Sequence, residues 1–136
     1  FNQPSGITTD GTNLYVADSD NRLIRKIVIS TGVVTTVAGT GSSGSANGTG
    51  TSASFNQPSG ITTDGTNLYV ADSDNRLIRK IVISTGVVTT VAGTGSSGSA
   101  NGTGTSASFN QPSGITTDGT NLYVADLGNH LIRQIE

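Results

Sequence analysis

The residues that could do chemistry in this chain recur at one constant spacing. Carboxylates at two positions occur once in each of three repeated units, and these six are the candidate binding residues: Asp10, Asp64, Asp118, Asp18, Asp72 and Asp126. Gathered carboxylates could bind a cation or a polar ligand. An Asp before Gly in a hairpin, or after a strand, more commonly accepts backbone N–H bonds and shapes a turn. A turn role is therefore the preferred interpretation, and ligand contact is the alternative.

A calcium site is the most specific chemistry that the acidic residues suggest. Asp18 and Asp20 form an Asp-x-Asp pair, and Asp72 and Asp74 repeat it. Calcium takes about six to eight oxygen ligands, commonly from a longer acidic loop that ends in a Glu. That loop is missing here, because Glu136 is the only Glu in the chain. We therefore expect no metal and no cofactor.

Catalytic chemistry is disfavoured by the residues that are scarce. His130 is the only His, and there is no Cys, which excludes disulfides and thiolate catalysis. One His cannot supply a multi-His zinc site, and it cannot serve a Ser–His–Asp arrangement in every unit. Repetition argues the same way, because a catalytic centre needs unlike residues converging on one point. We therefore expect a protein that is not an enzyme and has no catalytic residues.

The charge pattern also limits the partners. The net charge is −2 and charged residues make up 12% of the chain, whereas a nucleic-acid platform shows a concentrated basic face. The recurring basic residues Arg22, Arg25 and Lys26 are expected on solvated strand faces, in cross-strand pairs with Asp. No apolar run approaches the roughly 18 residues that a membrane span requires. We expect neither a nucleic-acid nor a membrane partner.

The sequence is organised as a tandem repeat. Residues 1–54 recur unchanged as 55–108, and residues 109–136 begin a third unit that differs from the first at five positions. Identity of this kind implies recent duplication or design. Terminal repeats commonly deviate because they cap a stack, which explains the five differences. The predicted units are blade 1 at 1–54, blade 2 at 55–108 and a partial blade 3 at 109–136.

Each unit is predicted to form short strands. Four apolar stretches, at 6–9, 14–17, 23–29 and 33–38 in the first unit, are separated by turn residues such as Asp10 and Gly11. Strands joined by such short loops are antiparallel neighbours in a meander. The composition also favours strands over helices. Only 32% of the residues are apolar, and much of the rest is Thr, Ser, Asn and Gly, which disfavour helices.

Two connectors, at 39–54 and 93–108, follow the fourth stretches and contain no Val, Leu, Ile or aromatic residue. A flexible Gly/Ser linker is one interpretation. We favour an ordered connection between units, because Phe55, Pro58 and Gly60 follow at once and can anchor its far end.

A four-stranded meander repeated at this period is typical of a β-propeller blade. The chain is therefore predicted to be all-β, with about two and three-quarter blades whose faces pack on neighbouring blades. The alternative is an open β-solenoid or a stacked filament of the same meanders, which differs only in the angle between units.

The third unit resembles the NHL repeat. The resemblance is carried by Gly-Ile at 114–115, Asn-Leu-Tyr-Val-Ala-Asp at 121–126 and Gly-Asn-His-Leu-Ile-Arg at 128–133. The stretch 33–41 is similar to the long-connector bacterial form of these repeats. The resemblance implies a propeller, commonly six-bladed, whose first strands line a central channel. Asp10, Asp64 and Asp118 would then lie near the channel mouth.

The departures from the family pattern restrict what can be transferred. Units one and two have Ser-Asp-Asn-Arg where the third has Leu-Gly-Asn-His, and the connector differs from that of long-connector relatives. No connector site is therefore carried over. RNA binding and metal-dependent lyase activity, both known among propellers of this kind, remain alternatives that the few basic residues and the single His disfavour.

The strand count predicts self-association. Four strands in each full unit and three in the last give eleven, so the last blade lacks its outer strand. Three blades cannot close a ring, and an open end exposes a blade face and an unpaired edge. We expect the partner to be a second copy, with two chains forming a six-bladed ring, and an open polymer or extracellular fibre as the alternative. Composition favours an extracellular or cell-surface location for a natural protein.

Overall fold

The structure, a computed structural model, describes all residues 1–136 and is all-β. Its strands are, in chain order, β1 Pro4–Thr9, β2 Asn13–Asp18, β3 Leu23–Val28, β4 Val34–Ala38, β5 Gly48–Thr49, β6 Pro58–Thr63, β7 Asn67–Asp72, β8 Leu77–Val82, β9 Val87–Ala92, β10 Pro112–Thr117, β11 Leu122–Asp126 and β12 Leu131–Ile135. Single 3-10 turns occupy Gly50–Ser52, Gly104–Ser106 and Leu127–Asn129. None of these helical turns is long and apolar enough to cross a membrane.

The strands form three antiparallel sheets, one for each unit. Their strand orders are β1-β2-β3-β4 in the first, β5-β9-β8-β7-β6 in the second and β10-β11-β12 in the third. The predicted meander is confirmed, and the third sheet ends at its third strand as expected. The first strand begins at Pro4, two residues before the predicted start, because Pro4 pairs with Asp18 across a bulge.

The connectors are hydrogen-bonded along their length, in agreement with an ordered connection. In the first connector the Ser54 N–H donates to the Ala46 carbonyl at 3.0 Å, and the Ala46 N–H donates to the Ser54 hydroxyl at 2.9 Å. Near the middle, Gly48 and Thr49 pair with Val88 and Val87 as the short strand β5. The chain therefore has twelve strands where eleven were expected, and the first connector extends the sheet of the second unit.

The core lies between the sheets. The first junction buries one continuous cluster, whose members are Tyr15, Ala17, Ile24, Ala38, Ala53, Phe55, Ile61, Leu68, Val70, Ile81 and Val88. The second junction repeats it with Ala71, Ile78, Ala92, Ala107, Phe109, Leu122 and Val124. Each blade therefore packs its faces on its neighbours, as a propeller blade does.

Glycine is required where the first strands of neighbouring blades meet. A Cβ at Gly6 would collide with the Ser59 carbonyl, and a Cβ at Gly60 would collide with the Ser113 carbonyl. At Gly114, on the open side of the third blade, a Cβ would meet only the Ala125 side chain at 3.7 Å. The innermost strands thus approach each other more closely than any residue with a side chain would permit.

Candidate functional site

Asp72, at the end of β7, is the centre of a buried polar cluster. Its Oδ1 accepts the Asn56 backbone N–H at 2.8 Å, and its Oδ2 accepts the Asn75 amide at 2.8 Å and Arg79 Nη1 at 2.9 Å. Asp18 and Asp126 hold the equivalent three donors in their own blades. The cluster joins the start of each unit to its second and third strands.

The same carboxyl has a different pKa in different blades. Burial between two neighbours raises the pKa of Asp72 against the lowering effect of Asn75, Asn56 and Arg79. In the first blade, burial also raises the pKa of Asp18, but the hydrogen bonds from Asn2, Asn21 and Arg25 outweigh it, and the pKa lies below its usual value. The pKa is therefore raised at Asp72, the carboxyl buried between two neighbouring blades, and lowered at Asp18.

Arg79, on β8, extends this cluster to the preceding connector. Besides Asp72, its guanidinium donates to the carbonyls of Ser54 and Ala46 and to the Asn47 side chain, each at 3.0 Å. It also lies over the Phe55 ring, 5.1 Å from its centroid. Arg133 repeats these contacts with the second connector and Phe109.

The placement of these arginines corrects the sequence interpretation. The cross-strand pair with Asp is present in every blade, at 3.2 Å for Arg25–Asp18 and 2.9 Å in the other two. The prediction that this arginine lies on a solvated strand face is wrong, because Arg79 is fully buried and Arg133 is also buried. No sequence signal singles out these arginines, because in an exact repeat every pair of positions recurs at a constant spacing.

Asp64, in the hairpin between β6 and β7, is the centre of a second hydrogen-bonded cluster, which lies within the hairpin turn. Its Oδ1 accepts the backbone N–H groups of Thr66 and Asn67 at 2.8 and 2.6 Å. Its Oδ2 accepts the Asn67 amide and the Tyr69 hydroxyl at 3.1 and 3.0 Å. Asp10 and Asp118 repeat the arrangement in the other two hairpins.

Hydrogen bonding lowers the pKa of all three hairpin carboxyls to about 2. The largest cause at Asp10 is the Asn13 backbone N–H and at Asp118 the Asn121 backbone N–H. At Asp64 the largest single cause is burial, which raises the pKa. The hydrogen bonds from Asn67 and Thr66 together lower the pKa by more than burial raises it. Burial and the neighbouring carboxylate raise the pKa of Tyr15 to about 12.

The structure does not bring the six candidate carboxylates together. No group of three or more His, Cys, Asp or Glu side chains is placed to hold a metal ion. The donors nearest each carboxylate come from its own blade, and they engage both oxygens. Ligand binding by these residues stays a prediction, whereas their contacts within each blade are those of turns and of a buried ion pair.

A polar cleft of about 660 Å³ lies at the start of the first strands. Gln3, Gln57 and Gln111 line it, and all three have left-handed backbones with φ of 48°, 53° and 52°. Serine hydroxyls from the first strands and following turns face the same cleft, with Ser5 and Ser19 in contact at 2.6 Å. Amides and hydroxyls of this kind can hydrogen-bond a neutral polar molecule. Nothing in the sequence pattern indicated these glutamines.

Two further features are open flanks, one at each end of the blade row. We define the leading flank as the free face of blade 1, where a cavity of about 330 Å³ is lined by Phe1, Ile7, Val16 and Ile27 among others. We define the trailing flank as the free face of blade 3, where Ile132 is exposed. The sequence predicted such open ends, although it did not identify these residues.

The three sheets, joined face to face around closely packed first strands, are blades of a β-propeller. Residues 109–135 match the family model described as "NHL repeat". The first two units share all but five of the corresponding positions with the third. The chain is built from NHL repeats and belongs to the NHL-repeat β-propellers, which confirms the resemblance found in its sequence.

Comparisons with known proteins agree. The chain is 34% identical over 152 residues to human NHL repeat-containing protein 2, covering 100% of this chain and 21% of that protein. A structural genomics protein of unknown function from Bacteroides thetaiotaomicron superposes with a TM-score of 0.83 at 30% identity, over 90% of this chain and 32% of that one. An auxiliary nutrient binding protein from the same organism gives 0.82 at 27% identity, over 96% and 36%. The chain therefore spans about a fifth of the curated relative and a third of the solved ones.

Proposed function

We propose that this chain is a non-catalytic scaffold whose partial propeller self-assembles head to tail, leading flank against trailing flank. A β-propeller of NHL repeats offers a rigid surface for protein interaction. The single observation that carries the proposal is the contrast between equivalent residues at internal and open blade faces.

The internal junctions show what such a face requires. At the first junction, the outgoing face of blade 1 presents Tyr15, Ala17 and Ile24, which are buried against the incoming face of blade 2. The second junction uses the same positions one repeat later. Identical units therefore carry identical, mutually complementary faces.

The open flanks carry the same residues without a neighbour. Ile7 on the leading flank is 62% exposed, whereas its copy Ile61 is 5% exposed at the first junction. Ile132 on the trailing flank is 75% exposed, whereas its copy Ile78 is fully buried. Burying a large aliphatic side chain contributes about 1.5–3 kcal/mol. Association of the two flanks would recover that contribution with contacts that the chain already makes twice.

Head-to-tail contacts give rings when the rotation closes and filaments when it does not. Two chains would supply six blades, the number common in propellers of this kind, and we favour that closed dimer. Its partner is a second copy of the chain, and the proposal requires no metal, cofactor or nucleic acid.

Light scattering of the purified chain tests this proposal. We expect a mass twice the 13.7 kDa of one chain, and ring-shaped particles by electron microscopy. Ile7→Asp should shift the protein to monomer without unfolding it, because Ile7 is already exposed. Ser84→Asp, at an exposed turn of the middle blade, is the matched control and should leave the dimer intact.

A wild-type chain that stays a monodisperse monomer at all concentrations would contradict the proposal. Fibres would support head-to-tail association and contradict the closed ring.

A further inference from the structure

The polar cleft of about 660 Å³ at the start of β1, β6 and β10 is the largest surface feature that the blades share, and we call it the glutamine cleft. Its lining comes from all three blades and so includes both internal junctions. The hairpin carboxylates Asp10, Asp64 and Asp118 follow the opposite ends of the same three strands. The glutamine cleft is therefore separate from the hairpin positions that the sequence singled out.

The serines that line the first two blades of this cleft have no hydrogen left to donate to a ligand. Ser19 donates to the Pro58 carbonyl at 2.6 Å, and Ser5 donates to the Ser59 carbonyl at 3.0 Å. The copies of these two serines donate to the third blade in the same way one repeat later. Because each hydroxyl carries one hydrogen, its oxygen is available to a ligand only as an acceptor.

One amide–carboxylate pair is closed at the first junction and open at the second. Gln57 Nε2 donates to Asp20 Oδ1 at 2.9 Å across the first junction. Gln111 and Asp74 are the same two residues one repeat later, and both are exposed and line the glutamine cleft. The only hydrogen bond that reaches Asp74 from a side chain goes to its backbone carbonyl, from Arg76. The Asp74 carboxylate is therefore free to accept from a ligand.

The charge of the cleft selects a cation. No Lys, Arg or His side chain lines it, so nothing there neutralises Asp74. An ammonium group has three N–H donors and no acceptor, which matches a surface of serine oxygens and one carboxylate. A lysine side chain presents that group on a flexible stem. The Gln111 amide beside it offers a donor and an acceptor, the complement of a peptide group, which a free alkylamine does not have.

We propose that the glutamine cleft binds an extended segment of a partner protein, with a lysine ammonium group on Asp74 and an adjoining peptide group on the Gln111 amide. The proposal names the partner chemistry for the scaffold role proposed above, and it rests on the protein-interaction part of that role. Asp74 and Gln111 meet at a junction inside the chain, so binding requires neither flank and no association of two chains.

Calorimetric titration with three probes tests the ligand class. The capped peptide acetyl-Ala-Lys-Ala-amide should bind saturably, with one peptide per chain. Norleucine in place of the lysine keeps the alkyl stem without the charge and should weaken binding by about 10-fold or more, as expected for a hydrogen bond to a charged group. Equal binding of the two peptides, or no binding of the lysine peptide, would overturn the proposal. Pentylamine that binds as tightly as the lysine peptide would identify a free amine as the ligand and overturn the protein partner.

Asp74→Asn in the chain should weaken binding of the lysine peptide by about 10-fold or more. Asp20→Asn is the matched control, because it changes the same position one repeat earlier, where Gln57 already holds the carboxylate. The control should bind the peptide like the wild type. Equal weakening by both substitutions would show that only the overall negative charge attracts the peptide, and the specific site would be lost.

Nuclear magnetic resonance locates the bound peptide through the side-chain amide signals of glutamine. The Gln111 signals should shift on titration, whereas those of Gln134, on β12 outside the cleft, should not. Shifts at Gln134 without shifts at Gln111 would also overturn the proposal. The wild type and the Ile7→Asp chain should bind the peptide alike. Peptide binding by a chain that never associates would therefore support this site while contradicting the ring, and a ring that binds no peptide would do the reverse.

Discussion

At the scale of single residues, the Arg79 position connects the parts of a unit. Its guanidinium touches the carboxylate that ends β7, two carbonyls and an amide of the preceding connector, and the face of Phe55. A planar cation with several donors suits such a site, and Lys would not reproduce it. One side chain thus orders a Gly-rich segment that has few apolar residues of its own.

Arg79→Ala should be strongly destabilising. It leaves the Asp72 charge buried without its partner and frees the first connector, and breaking a buried pair in this way costs about 3–5 kcal/mol. Urea denaturation followed by circular dichroism measures the loss. Lys80→Ala, on the neighbouring residue of the same strand, should change stability by about 0.5 kcal/mol or less. Similar losses for both variants would show that the cluster is not what holds the connector.

Stability should fall in acid because of the hairpin carboxyls. Their pKa in the folded chain is about 2, below the ordinary value of 3.8. A depressed pKa contributes stability that is present above the ordinary value and is lost as the pH falls through the folded one. Asp64→Asn should remove roughly a third of that loss, because three equivalent turns share it. Melting temperatures measured from neutral pH down to the folded pKa check this.

Asp74→Asn is the charge-matched control for that experiment, since Asp74 is exposed and lies outside the hairpin. A pH profile unchanged in Asp64→Asn would contradict the role of the turn.

Sequence reasoning reached the turn carboxylates more easily than the buried ones. Asp10 before Gly11 in a hairpin is a local signal, and the turn it predicts is the one observed. Asp18 was expected to act within its own turn, yet it also accepts from Asn2 and Arg25, which lie well outside that turn along the chain. A contact between distant residues leaves no mark in local pattern, so the burial of Arg79 could not be foreseen.

At the scale of elements, the first connector is part of two blades. It leaves the outer strand of one blade, adds β5 to the edge of the next, and then enters that blade as its first strand. The strands of each meander could be predicted because alternation and turn residues mark them. The short strand β5 could not, because Gly48 and Thr49 have no pattern and pair only through backbone groups.

The first residue of each unit offers a matched test of the junction. Phe55 is fully buried beneath Arg79, whereas its copy Phe1 is exposed beside Arg25. Phe55→Ala should cost about 3–5 kcal/mol, as expected for a large buried side chain, and Phe1→Ala about 1 kcal/mol or less. Chemical denaturation of the two variants at low protein concentration decides this. Equal costs would mean that the aromatic ring stabilises its own blade and not the junction.

At the scale of the whole molecule, the chain is a row of blades with two unlike ends. The fold class followed from the sequence, because the recurrence of 1–54 as 55–108 and the four apolar stretches in each full unit indicate propeller blades. Identifying the residues on each flank required the structure, because the copies of one residue in different units differ only in which neighbours surround them.

Gly114→Ala tests the geometry of association without disturbing the chain. Within one chain the added methyl group meets only Ala125 at ordinary contact distance, so the melting temperature of the monomer should not fall. If a second copy packs on the trailing flank as blade 3 packs on blade 2, the same methyl group meets the carbonyl of Ser5 in that copy, and association should be lost. Sedimentation of the wild type and variant measures the shift.

Gly60→Ala places the same methyl group at an internal junction and should destabilise the fold by about 1–3 kcal/mol. A dimer that tolerates Gly114→Ala would have to use a different packing from the internal one.

The path of the connector also determines how such a protein can change in size. Since the two full units are identical and both junctions bury the same kind of cluster, an inserted or deleted copy of the whole unit creates no unfamiliar interface. Blade number can then vary through gene slippage alone, while each local contact stays as it was. Selection would act on whether the resulting row of blades closes into a circle.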